Sequence, residues 1–495
     1  MYWTTRLFRV FSLARVFGGV SRDEIQSRAR ICTMDFRLSE TNKGVPCIFY
    51  DGYKYRRQRS LANGNISWRC TFKKCCVTIQ TNELKSEIVT DRAKIYHAHE
   101  KTDDKTLDYL AVKNQCKRKA VEDISIKPAK IIRTALRDDS NANTSVEKGD
   151  LNLIRRSIFN ARTSLMPKKP KSRAETFEQL TDPNYSLSKT NKNEDFIFVD
   201  SESDIIVFTC GANLKFLTEN CGYILADGTF YVTPKFFYQV YTVHAFVNGH
   251  YIQAAFFLLP LKSRLCYEGM WRLLLRLTGG RFYPTTILLD YEIAAHQAVK
   301  SMFPNTVIRG CRFHLGQCWY RKIGELGLKK DYENDSVVGE WLKMFFGLAF
   351  LSPGEVLDAF CFLVSIAPEK SGVRAFHTYV MNTFILFCDF PPEIWAEAPT
   401  FNPRTTNGAE AFHHHFKANF YKHHPNIHLF IEALRDLQAE IYVSMRSVHI
   451  PNINQPQVDK QNFVRQQYFL LHNDSQYTIR DYLKAVGFKF QAKSI

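Results

Sequence analysis

A chain of 495 residues, 45% hydrophobic and 14% aromatic, is long enough for two or three domains and a sizeable core. Its net charge of +17 and pI near 9.2 point to a polyanionic partner, nucleic acid first, and no apolar run approaches the roughly 20 residues that cross a bilayer. The 13 cysteines follow no regular framework, so reduced thiols, some of them metal ligands, fit better than a disulfide scaffold.

Residues 1–22 carry Arg6, Arg9, Arg15 and Arg22, no acidic residue before Asp23, and apolar residues between the arginines. That is the composition of a mitochondrial presequence. The alternative is an upstream extension, with the protein beginning near Met34 and working in the nucleus, which the DNA-directed features downstream favour.

From Tyr50 the texture changes. Tyr53, Tyr55 and Arg56 precede Trp68, Cys70, Cys75 and Cys76, and His97 and His99 close the segment. Two cysteines followed by two histidines in a compact basic stretch form a zinc signature, because thiolate and imidazole close a tetrahedron that replaces the core so short a domain lacks. Unliganded cysteines in a small β domain are the alternative. The order aromatic, Trp-x-Cys, short basic loop, Cys-x-small, distal His-x-His resembles the FLYWCH-type zinc finger. The resemblance implies antiparallel strands and the Zn²⁺ ligands Cys70, Cys75, His97 and His99, with Cys76 a rival for the second position. Arg56, Arg57, Arg59, Lys73 and Lys74 would then meet phosphate or acidic protein. The finger spans 41–100, after an N-terminal extension.

Residues 101–200 are poor in aromatics and rich in Lys, Arg, Asp, Asn and Ser. They read as a basic linker with short helices near 127–138 and 150–163. The clusters Lys117-Arg118-Lys119 and Lys168-Lys169-Pro170-Lys171 suit nuclear import or phosphate contact.

A regular α/β core begins near Ile205. Apolar runs at 205–209, 223–226, 237–247 and 251–259 read as strands, with Asn248-Gly249 as a hairpin turn. A helix at 266–278, a strand 286–290 ending in Asp290, a helix at 292–303, a strand at 306–309 and a helix at 315–328 follow. Three antiparallel strands, then parallel ones reached through helices, is the element order of a ribonuclease-H-like domain, in which the first strand lies beside the fourth. Asp227 in ILADGTF and Asp290 would then stand side by side. Glu410, after the helix-start signal Thr405-Thr406-Asn407-Gly408, offers a third acid. Three such carboxylates suit two hard divalent cations, Mg²⁺ or Mn²⁺, in phosphoryl transfer.

IIVFT…NLKFL, ILADGTF, Pro234, Gln239, the strand ending at Asp290, FPNTVIRGCRFHLGQ and TTNGAEAFHHHF together resemble, in that order, the transposase domain of Mutator-like elements (MULEs). The resemblance implies a ribonuclease-H-like core of the Asp-Asp-Glu (DDE) transposase kind over 201–330, a helical insertion over 331–400, and core completion over 401–445. It implies DNA transposition in the nucleus, with DNA as partner, a homo-oligomer, no membrane association, and Asp227, Asp290 and Glu410 as the catalytic, metal-holding triad. Gly408 departs from the pattern, where Asn is more usual. Cys311-x-x-His314 matches the family's Cys-x-x-His motif and reads as a zinc half-site, a DNA contact or a structural pair. His413, His414 and His415 read as DNA-facing or solvated. The tail 446–495 carries no legible signal. A silent, domesticated DNA-binding regulator that keeps the fold is the alternative function.

Overall fold

The computed structural model describes residues 36–40, 45–82, 87–91, 95–123, 126–138, 145–334, 336–400, 402–420 and 422–492. The arginine-rich segment 1–22 and Met34 lie outside the described residues. The chain is mixed α/β and divides into two compact units, Met1–Met166 and Pro167–Ile495.

The first unit is built on a five-stranded antiparallel meander: β1 (Phe36–Glu40), β2 (Pro46–Tyr50), β3 (Tyr53–Ser60), β4 (Ile66–Cys70) and β5 (Thr78–Thr81), in sequential order. Alternation puts Tyr53, Tyr55, Trp68, Cys70 and Ile79 in one small core and leaves Arg56, Arg57 and Arg59 outside. The buried Trp68 indole donates to Thr81 Oγ1 at 2.9 Å, so the polar edge of the largest core residue is satisfied. Cys47 and Phe49 point the other way and meet Leu107 of α1 (Asp104–Glu122).

The stretch read as a linker departs from that expectation. α1 packs with α2 (Pro128–Leu136) and α3 (Lys148–Thr163) around Val112, Cys116, Ala120, Ile131, Ile132, Ile154 and Ile158. The two shorter helices match the apolar spacing. The 19-residue α1 was hidden because its inward residues are few and small, set among Lys117, Arg118 and Lys119. Buried Arg162 ties the cluster by donating to the carbonyls of Ala120, Asp123 and Ile126.

In the second unit α4 (Arg173–Thr181) precedes a seven-stranded sheet of β6 (Ile197–Asp200), β7 (Ile205–Phe208), β8 (Tyr223–Thr229), β9 (Gln239–Val247), β10 (His250–Leu259), β11 (Thr286–Leu289) and β12 (Val307–Gly310). The strand order is β12-β11-β8-β9-β10-β7-β6. β8, β9 and β10 are antiparallel neighbours, and β11 pairs in parallel with both β8 and β12. The expected juxtaposition of the first and fourth strands is therefore present. The added strands β7 and β6 extend the β10 edge. At the β9–β10 turn Asn248 and Gly249 both have positive φ, and a Cβ on Gly249 would lie 2.2 Å from the Asn452 carbonyl oxygen, so that position admits only glycine.

Helices cover both faces. Tyr241 of β9 packs on Tyr267 of α6 (Arg264–Leu277), after α5 (Gly211–Glu219) in the chain. His244, on the opposite face by alternation, packs on Phe412. α7 (Ile293–Met302) and α8 (Arg312–Glu325) follow β11 and β12.

The region after α8 is helical, with α9 (Lys329–Glu333), α10 (Val337–Met344), a 3-10 segment (Phe345–Phe350), α11 (Val356–Ser365), α12 (Val373–Phe384) and α13 (Pro392–Trp395). Trp341, Phe345, Phe346, Phe350, Phe360 and Phe376 are all buried in it, as aromatics of a core rather than of a stacking surface. α14 (Asn407–Lys417) and α15 (Ile427–Ser447) return to the sheet. The tail then forms α16 (Gln455–Asn473) and α17 (Ile479–Phe490), and Tyr482, Leu483 and Val486 enter the helical core. Gly347 and Gly487 let α17 approach: a Cβ at Gly487 would lie 2.4 Å from the Lys343 carbonyl oxygen. The tail therefore completes the helical body.

Candidate metal centres

In the first unit β4 ends at Cys70, the basic turn after it presents Cys75, and His97 and His99 fold back across β3. Cys70 Sγ lies 3.3 Å from His99 Nε2, Cys75 Sγ lies 3.3 Å from His97 Nδ1, and the two imidazole nitrogens are 3.2 Å apart. Bonds of about 2.3 Å to sulfur and 2.0–2.1 Å to nitrogen put tetrahedral ligands roughly 3.3–3.8 Å from one another, so the four donors already have the span of one zinc shell. The tautomers agree. His99 Nδ1 donates to the Glu100 carbonyl at 3.0 Å, which leaves Nε2 as a bare lone pair, and Tyr55 OH, 2.7 Å from His97 Nε2, is placed to accept the N–H that leaves Nδ1 bare. Tyr53 stacks on the His97 ring at 3.7 Å. Burial, with Cys75 adjacent, pushes the Cys70 thiol up, and burial with His99 adjacent pushes His97 down. Two thiols and two imidazoles crowded this closely call for a cation. Cys76 is exposed, with Arg69 Nη2 3.7 Å from its sulfur, and the structure brings Cys75 to the cluster instead.

In the second unit the β8–β11 register runs Thr286↔Tyr223, Ile287↔Ile224, Leu288↔Leu225. Asp227 and Asp290 each stand two residues beyond the last pair, at the same end of neighbouring strands. Asp227 is buried and its Oδ1 accepts from the Gly228 amide at 2.9 Å. Asp290 is held by its backbone: His296 Nε2 donates to its carbonyl at 2.6 Å, and its Oδ1 lies 3.3 Å from the Glu292 amide. Burial first, then the neighbouring Asp227 charge, raises the Asp290 carboxyl to about 6, against the opposing pull of His314.

Glu410 lies in the first turn of α14, as the helix-start signal predicted. Burial and Asp227 raise its carboxyl, while His314 pulls it down. His314 Nε2 is 3.6 Å from Glu410 Oε1. Burial opposes the charged form of His314, but Cys311, Asp227 and Glu410 outweigh it and lift the imidazole to about 9. Cys311 Sγ accepts from the Thr406 amide at 3.2 Å, and Thr406 Oγ1 lies 3.2 Å from both that sulfur and Glu410 Oε1. Cys311 and His314 are thus neither a lone pair nor distant: they flank the third acid. Among the described residues the two groups of three or more donors within 4.8 Å of one another are Cys70/Cys75/His97/His99 and Cys311/His314/Glu410. Asp227 and Asp290 join neither set, so the three acids share one charge cluster without closing on a single point.

His413 differs from its expectation. His414 and His415 are exposed, but the His413 side chain is only 10% exposed and its Nδ1 lies 3.4 Å from Asp227 Oδ2. The helical phase of α14 decides this, putting His413 beside the buried stripe of Ala409, Phe412 and Phe416 and its two neighbours away from it. Gly408, the departure from the family pattern, has a local cause. A Cβ there would stand 2.4 Å from the Tyr251 ring, so in this chain the aromatic of β10 occupies the space a side chain would need.

Residues 223–317 match the family model of the MULE transposase domain, and residues 38–100 match that of the FLYWCH zinc finger domain. No curated protein matches the chain. No helix among the described residues is long and apolar enough to cross a membrane.

Proposed function

We propose that this chain, which carries a FLYWCH zinc finger domain and a MULE transposase domain, is a DNA transposase whose second unit has a ribonuclease-H-like DDE core. The observation that carries the reading is the parallel pairing of β11 on β8, whose register sets Asp227 and Asp290 at one end of adjacent strands with Glu410 in the same charge cluster. The residues fit hard cations: a dense, partly buried set of carboxylates, two of them raised by burial first and by the neighbouring Asp227 charge after it. Asp227, Asp290 and Glu410 would hold Mg²⁺ or Mn²⁺, which when bound supplies Lewis-acid polarisation of a phosphodiester and an activated hydroxyl.

The rest of the centre holds these acids in place. Thr406 and Cys311 orient Glu410 at the start of its helix. His314 carries positive charge between the acids and offers a donor to a phosphate oxygen. The His296 clamp fixes the turn after β11, and Glu292, bonded to Tyr267 at 2.7 Å and to Lys262 at 3.0 Å, closes its far side. In the first unit, Cys70, Cys75, His97 and His99 would hold Zn²⁺ and stiffen a sheet whose exposed arginines and lysines meet phosphate. The nucleus, a homo-oligomer and terminal repeats as target belong to this reading.

The test is strand cleavage and transfer on candidate end sequences with Mg²⁺ or Mn²⁺. Wild type is expected to cut and join, and Asp227→Asn to bind DNA without either. A second reading, a silent DNA-binding regulator, draws on Glu410 lying closer to Cys311 and His314 than to a common point with the aspartates. Equal behaviour of wild type and Asp227→Asn, both binding DNA, would make that reading the right one.

A further inference from the structure

We propose, on the footing of the DNA-directed centre above, that Phe230 and Tyr238 form a stacking platform that binds unpaired DNA beside the acid cluster. Phe230 stands three residues after Asp227, where β8 gives way to the 230–238 loop. It is 46% exposed and Tyr238, at the far end of the loop, is 53% exposed. Their rings meet edge to face, with centroids 5.6 Å apart at 84°. Among the described residues the Tyr238 hydroxyl has no hydrogen-bond partner. The loop that carries the rings is tied down at both ends. Thr233 Oγ1 donates to the Thr229 carbonyl and accepts from the Val240 amide, both at 3.1 Å, and the Tyr238 amide donates to the Leu259 carbonyl at 2.8 Å. Arg173 Nε donates to the Phe236 carbonyl at 3.2 Å and holds that residue at φ 76°, a region aromatic residues seldom adopt. Two large rings are thus held in solvent by a built loop.

Cations are interleaved with the rings. Lys262 Nζ lies 4.7 Å from the Phe230 centroid, and Lys417 Nζ of α14 lies 3.9 Å from the centroid of Tyr231, the next residue. Lys235 is exposed within the loop and, among the described residues, pairs with no carboxylate. Lys262 also joins the platform to the acids. Its Nζ is 3.0 Å from Glu292 Oε2, two residues past Asp290, and its charge pulls against the rise of the Asp290 carboxyl. Whatever covers Phe230 therefore lies against the edge through which a phosphodiester reaches the carboxylates. Three lysines on that edge favour a polyanion over a protein surface. The rings then select the form of DNA. In a duplex each base face is covered by its neighbours, so an exposed ring gains nothing from it. An unpaired strand offers every base face for stacking while its phosphates meet the lysines. The centre is accordingly fitted to a DNA end that is unpaired next to the acids.

The experiment uses full-length, zinc-loaded protein without added Mg²⁺ or Mn²⁺, so that no strand is cut. Binding is measured to a single-stranded oligonucleotide carrying 2-aminopurine and to a hairpin duplex of the same composition. Wild type should bind the single strand and quench its 2-aminopurine fluorescence by stacking. Phe230→Ala and Tyr238→Ala should each weaken single-strand binding about tenfold and lose the quenching, with duplex binding unchanged. Tyr238→Phe keeps the ring and should behave as wild type. Lys235→Ala should flatten the salt dependence of single-strand binding by about 0.7, whereas the ring variants leave that slope alone. Both rings are exposed, so the variants should melt with wild type; should Phe230→Ala melt early, Tyr238→Ala and Tyr238→Phe carry the test. Wild type that binds duplex only, or single-strand binding equal in wild type and both Ala variants, overturns the platform and leaves the DNA reading standing. Wild type that binds neither form overturns the DNA reading itself. Self-association that both Ala substitutions abolish, with single-strand binding unaltered, assigns the patch to a second copy of the chain and overturns the proposal.

Discussion

Replacing Asp290 by Asn should make the metal-free protein more stable and the metal-loaded protein less so. The Asp290 carboxyl is raised from 3.8 to about 6. A raised carboxyl holds its proton more tightly when folded, so its contribution is complete below about pH 3.8 and is lost as the pH rises through about 6. At 1.36 kcal/mol per pH unit the loss is ~3 kcal/mol. Asp290 remains partly exposed, so solvent screening brings this to about 2 kcal/mol. Asn keeps the shape and drops the charge. In chelator at pH 8 the second unit of Asp290→Asn should melt a few degrees above wild type, since 1 kcal/mol moves the midpoint by about 2–4 °C in domains of 150–250 residues and by less in larger ones. At pH 4 the two proteins should melt together. With saturating Mn²⁺ at pH 8 the order should reverse, because wild type gains a bound ion that the variant cannot hold. Differential scanning calorimetry across pH, with and without metal, reads all three conditions. A variant no more stable than wild type at pH 8 in chelator, or one that gains as much from Mn²⁺, would refute the reasoning about this carboxylate.

Chelation or Cys70→Ser should remove about one zinc equivalent and unfold the β1–β5 sheet by circular dichroism, because so small a core does not stand without its metal. Cys76→Ser, outside the cluster, should leave zinc content unchanged. Gly408→Ala should destabilise the second unit by about 1–3 kcal/mol through the collision with Tyr251, and adding Tyr251→Ala should recover part of that loss in urea melts. Deleting residues 452–495 should expose the helical core by removing Tyr482, Leu483 and Val486, visible as dye binding and a lower melting temperature. Neutralising Arg56, Arg57 or Arg59 singly should weaken DNA binding across sequences and flatten the dependence of log K on log salt by about 0.9 per lost phosphate contact.

The strands of the second unit other than β6 were legible because runs such as ILADGTF and TILLD are apolar on both faces and leave a single carboxylate at the end, a pattern that only a covered sheet accepts. The element order then implied the β8–β11 pairing that is present. The finger was legible through donor types, since four soft ligands in a short segment have few other uses. α1 was not, because Val112, Cys116 and Ala120 make a weak stripe whose burial depends on α2 and α3 rather than on its own periodicity. The C-terminal helices were not either, because α16 and α17 bury their apolar residues against segments more than a hundred residues earlier.

Sequence alone therefore determined which donors this protein owns: the two thiols and two imidazoles of the finger, the three acids, and Cys311 with His314. Tertiary structure decided which of them meet. It chose Cys75 over Cys76 by where the basic turn points. It set Cys311 and His314 against Glu410 through Thr406, emptied position 408 for the Tyr251 ring, and turned His413 inward while His414 and His415 stayed in solvent. These outcomes rest on helical phase and on contacts between distant segments, which neighbouring residues in a chain do not encode.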